Sequence, residues 1–194
     1  MRSRLLPLIP LAALLLAAGC EEPAPGHHRH PNGGGLVADT ASVADTAYVG
    51  PEAYVQDHVI IDDQVRVEGR AIVYGEARLS GNALVSGEAQ VADRARVGGN
   101  ATISGTAKVF GDARVFGFAW VADDARVTGD AKVGGRARVY GEAKVYDHAM
   151  VGGEAQVNSS AMIYGDVEVG GGAIISGNTV LSGEIRIASG VRVD

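Results

Sequence analysis

From Val37 onward the chain repeats one hydrophobic signal. An aliphatic residue returns every six positions through Val43, Val49, Val55, Ile61, Val67 and Val73, and the register continues unbroken to Ile187 and Val193. Two places before each aliphatic stands a small residue, nearly always alanine, as at Ala41, Ala47, Ala53, Ala71 and Ala77. The unit reads A-x-V-x-[G/D]-x. Alternation within "A-x-V" puts alanine and valine on one side of a short strand and the middle residue on the other. The fifth place is mostly Gly, as at Gly69, Gly75 and Gly81, or Asp, as at Asp57, Asp93 and Asp123. Both tolerate the backbone angles of a tight corner.

A strand and a corner every six residues close naturally into a triangular prism of three units per coil. Each strand then hydrogen-bonds its counterpart eighteen residues away, which is a parallel β-helix. The 157 residues from Val37 to Val193 make nearly nine coils, and at about 4.8 Å per coil the rod is roughly 42 Å long. The hexad "VADRAR" at Val91, and its variant "VYGEAR" at Val73 with glycine one place later, resemble the hexapeptide-repeat superfamily. That resemblance implies an all-β, single-stranded, left-handed parallel β-helix of about nine 18-residue coils, here without inserted loops. It also brings in a family with many trimeric bacterial acyltransferases and gamma-class carbonic anhydrases.

The first twenty residues follow different rules. "MRSRLLPLIPLAALLLAAGC" has a basic start, an apolar stretch and small residues before a cysteine, the layout of a bacterial export signal. Its end, "LAAGC", resembles the lipobox of bacterial lipoproteins, with Ala17 in place of the commoner leucine. The resemblance implies cleavage after residue 19, lipidation of Cys20 and attachment to membrane lipid in the cell envelope, at the inner or outer membrane. Cys20 is the single cysteine, so an internal disulfide is excluded and the anchor gives the thiol a use.

The domains expected are therefore 1–19 as signal peptide, 20–35 as lipidated cysteine and flexible linker, and 36–194 as β-helix. The linker, "EEPAPGHHRHPNGGG", has the Pro, Gly and charge content of a spacer. His27, His28 and His30 within it have metal-binding chemistry, but an open glycine-flanked segment must be ordered to use it, so no metal site is expected there.

Charge narrows the partners. Loss of the signal removes two of the seventeen basic residues and none of the twenty-three acidic ones, leaving a net −8. A nucleic-acid partner is disfavoured. Every eighteenth residue gives cationic ladders, Arg78, Arg96, Arg114 and Lys132 on one face and Lys108, Arg126 and Lys144 on another. Carboxylates two residues earlier, at Glu76, Asp112, Asp124, Asp130 and Glu142, are expected to neutralise most of them.

Catalytic chemistry is sparse. His58 and His148 fall on one edge five coils, about 24 Å, apart, too far for a shared metal. The three-histidine zinc arrangement of gamma-class carbonic anhydrases is not matched. His148, with Asp130 and Asp166 one coil to either side, is the weak candidate for a general base. It supports a rival reading, an acyltransferase-like enzyme with a site between subunits. No cofactor is expected.

All three phenylalanines and the only tryptophan fall within "VFGDARVFGFAWV". By register Phe110, Phe116, Phe118 and Trp120 point outward near mid-rod, a candidate contact patch for a homo-oligomer, trimeric or end-to-end, or for an envelope protein or glycan. At the far end Thr179, Ile185 and Val191 replace alanine and are expected to plug the prism. Taken together, the sequence points to a membrane-anchored scaffold or interaction module without catalytic activity.

Overall fold

The computed structural model describes residues 23–194. The export signal and Cys20 lie outside that range. Apart from two three-residue strands at its start, the described chain is built from two-residue strands, each the x-V pair of one hexad, and it contains no helix. They assemble into three long sheets, of ten, nine and nine strands, in which each strand from Leu36 onward is bonded to its counterpart eighteen residues away, on both sides except in the first and last coils. The pairing is parallel throughout that range, as in Arg96↔Arg114 with Val97↔Val115. The protein is a parallel β-solenoid of about nine turns at an eighteen-residue spacing.

Each hexad forms this way because its inward places are filled by residues that fit one another. The Ala and Val positions are fully buried along the rod, from Ala47 and Val49 to Ala173 and Ile175. They form one continuous core threaded through all three sheets. The corners need a left-handed backbone. Glycine supplies it at most of them, and Asp57, Asp63, Asp93, Asp123, Asp147 and Ser159 adopt φ near 57–59° at the others.

The N-terminal end departs from the spacer expected over residues 20–35. His27–Arg29 is a strand, paired antiparallel with Leu36–Ala38, and the turn between them docks on the first coil. The Val49 amide donates to the Asn32 carbonyl, the Gly35 amide donates to the Val49 carbonyl, and the Asn32 side-chain amide donates to Ala47 O at 2.8 Å. Gly35 is required by close approach: a Cβ there would run into the Gly50 carbonyl and a Val49 methyl. His30 is buried. Glycines with the composition of a linker are in fact fitted against a strand edge.

The C-terminal coil is the outermost layer of the rod. Ile185 and Val191 remain 36% and 41% exposed at the open end, while Val167, Val169, Ala173 and Ile175 one coil beneath are buried. No helix among the described residues is long and apolar enough to cross a membrane.

Candidate interaction surface

The aromatic edge is built by three successive outward places around one corner. Phe116 leaves the strand Arg114–Val115, Phe118 stands on the turn, and Trp120 opens the strand Trp120–Val121. They are 49%, 61% and 37% exposed, which makes Phe118 the freest of the three. Trp120 is held in place: its ring stacks on Tyr140 at 6.0 Å and its indole N–H donates to Ser104 Oγ at 3.2 Å. Phe116 folds over the next coil, where its ring occupies the space a side chain at position 134 would need. Gly134 is what lets it lie flat.

Phe110 does not join them. It is half-buried on another corner and meets Tyr74 edge-to-face at 6.3 Å across two coils. Further along that corner Tyr146 and Tyr164 stack at 4.8 Å. Burial, and then Tyr164, push the Tyr146 phenol above its ordinary range. The expected patch of four is therefore an edge of three, with Phe110 belonging to a separate aromatic column.

His148 sits on an open corner, its side chain 65% exposed, with Nδ1 3.5 Å from an Asp130 carboxylate oxygen. It lines none of the principal concave regions, the largest of which is an open furrow beside Phe116 floored by Gly134, Gly152 and Gly170. The three N-terminal histidines also go separate ways. His28 pairs with Asp39 at 2.9 Å, His27 faces Pro25 O, and His30 bonds to Asn32. Among the described residues no three His, Cys, Asp or Glu side chains converge as a metal would need.

The charge ladders hold the main correction. Local neutralisation by the preceding carboxylate does not occur: the ion pairs run chiefly from coil to coil, as Arg70 with Glu88, Arg94 with Asp112 at 2.5 Å, Arg136 with Glu154 at 3.7 Å and Arg186 with Glu168 at 2.8 Å. Asp112 is thereby taken by Arg94, whose guanidinium is held above its ordinary pKa by that hydrogen bond, and Asp130 by His148. Among the described residues Arg78, Arg96, Arg114 and Lys132 pair with no carboxylate. All four are exposed, in direct register with one another.

The arrangement offers a straight cationic rank, an aromatic ridge and a furrow between them, on a rod with a rigid backbone. Among protein families, the chain matches the YdcK Beta solenoid repeat over residues 77–93, a stretch just short of one coil that contains Arg78. No curated protein matches the chain.

Proposed function

We propose that this protein is a lipid-anchored component of a bacterial envelope that works as a rigid interaction module, without catalysis. The observation that carries the reading is the exposed edge of Phe116, Phe118 and Trp120 on a solenoid whose eighteen-residue register no loop interrupts. Large aromatics are costly to leave in water and are favoured at contact hot spots. An enzyme of this architecture needs walls around its substrate, whereas here the concave regions are open furrows.

The anchor belongs to the same reading. Lipobox-like "LAAGC" ends at Cys20, and several acyl chains on one residue give stable membrane attachment where a single chain gives only marginal binding. Left-handed winding and kinship with the hexapeptide-repeat superfamily belong to it as well, supported by hexads such as "VADRAR" at Val91.

The test is metabolic labelling with a radiolabelled fatty acid in bacteria expressing the full chain, followed by membrane fractionation. The expected result is labelled protein in the membrane fraction, with label and sedimentation both lost in Cys20→Ala. Unlabelled protein that fractionates as soluble overturns the anchor.

A further inference from the structure

We propose that the rank Arg78, Arg96, Arg114 and Lys132 is a binding track for a linear acidic polysaccharide, a glycan strand bearing carboxylates, seated in the furrow beside the rank with Phe116 as its end wall. The inference rests on reading the rod as an interaction module and supplies the chemistry of its partner.

Like charges in register on adjacent strands repel, and three consecutive pairings bring these four into that relation. Their spacing is about 4.8 Å per coil, so the four span about 14 Å. Several other cations on the rod are relieved by coil-to-coil carboxylates, as at Arg70 and Arg94. Here two neighbouring carboxylates are engaged elsewhere, Asp112 bonded to Arg94 at 2.5 Å and Asp130 paired with His148, while Glu76 and Asp62, the latter lining the furrow, form no ion pair with the rank. A bound polyanion satisfies what the protein leaves open, and exposed guanidinium groups suit carboxylates because they bind them in two-point fashion.

Three features select a sugar polymer among anions. An extended chain of pyranose rings advances per ring by a length comparable with one coil, so successive sugars meet successive cations. The furrow along the rank is floored by Ser80 and Gly98 and ends at Phe116, whose half-exposed ring offers a flat apolar surface to the C–H face of a sugar. Glu76, Asp112 and Asp130 stand on the adjoining rank, and the whole chain carries a net charge of −6. A partner of low charge density tolerates that acidic background better than duplex DNA, which presents a charge about every 1.7 Å of its axis.

The other cationic rank makes the contrast. Lys108 and Arg126 border a depression that holds two carboxylates, Glu88 and Asp124, where the furrow beside Arg78, Arg96 and Arg114 holds one, Asp62, so a polyanion meets more repulsion there.

The experiment uses full-length protein in detergent micelles, immobilised, with alginate oligomers as the probe. A neutral glucan oligomer and oligothymidylate of matched length serve as comparisons. Alginate is expected to bind in a salt-sensitive manner, the glucan not at all and oligothymidylate more weakly. The double change R96A/R114A should weaken alginate by about a hundredfold, tenfold for each guanidinium removed. Phe116→Ala should weaken it by about tenfold, and K108A/R126A should leave it unchanged.

Because Arg96 and Arg114 point outward and repel, R96A/R114A should also melt no lower than the parent. That separates a binding defect from a folding defect. Absence of alginate binding, an equal weakening in K108A/R126A, or tighter binding of oligothymidylate each overturns the proposal. A chain that is fatty-acylated yet ignores alginate sinks the track alone, and one that binds alginate without acylation sinks the anchor alone.

Discussion

At the scale of single residues the corner aspartates show how the rod economises. Asp57, Asp63, Asp93, Asp123 and Asp147 accept a left-handed backbone, and each carboxylate receives the amide of the glycine one coil on. The partners are Gly75 at 2.9 Å, Gly81 at 2.8 Å, Gly111 at 2.9 Å, Gly141 at 3.1 Å and Gly165 at 3.3 Å. The hydrogen bond offsets the conformational penalty, which distinguishes aspartate from any other residue with a Cβ at that place. Asp93→Ala removes the bond and keeps the strain, a loss of about 1–2 kcal/mol. Asp93→Gly relieves the strain and loses only the bond, so it should fall between Ala and wild type in urea denaturation. Ala and Gly variants of equal stability would show that the left-handed backbone costs nothing there, and an Ala variant as stable as wild type would show that the carboxylate contributes nothing.

At the scale of elements, the six-residue period makes the strands, the corners and the coil-to-coil pairing legible, because every hexad buries the same two places. Charge partners are not legible in the same way. Asp112 shares a strand face with Arg114 two residues on, at about 6.6 Å along the chain, and a corner rank with Arg94 at about 4.8 Å. The shorter route wins at Asp112, which pairs with Arg94 and leaves Arg114 without it. The aromatic edge can be placed from register alone, which also sets Phe110 whole coils from Tyr74, Tyr146 and Tyr164; what register does not give is the edge-to-face contact of Phe110 with Tyr74 across two coils.

Residues 27–35 escape a compositional reading for a further reason. Glycine content signals both freedom and close approach, and only contact with Val49 and Gly50 tells them apart. Overpacking against backbone costs about 1–3 kcal/mol, enough to release so short a hairpin. Gly35→Ala should therefore speed hydrogen exchange at the Val49 amide, whose acceptor is Asn32 O, and leave the Val121 amide protected. Unchanged exchange at Val49 would mean that the hairpin is held by its antiparallel pairing and not by its turn.

On the scale of the whole molecule, two surfaces of different chemistry lie on either side of Phe116. The cationic rank occupies the face before it, while Phe118 and Trp120 occupy the corner and the face after it. A glycan along the first leaves the second free, and Phe118, the most exposed of the three aromatics, is too large to leave uncovered without cost. Under the proposed anchor, copies of the chain are the partners concentrated beside it, and contact between rods through Phe118 and Trp120 is then the expected use of that edge. Light scattering of the full chain in detergent over a range of concentrations should then give a closed oligomer, and the pair Phe118→Ser and Trp120→Ser should reduce it to monomer. The rod itself should survive the change, since both side chains lie outside the buried core and surface substitutions away from special contacts shift stability by only about 0.5 kcal/mol; Trp120, with its stack on Tyr140, should account for most of any loss. An oligomer of unchanged mass in the variant would remove the aromatics from the subunit contact. A wild-type monomer would leave the edge to a different partner, one that meets the rod on the side away from the proposed glycan track.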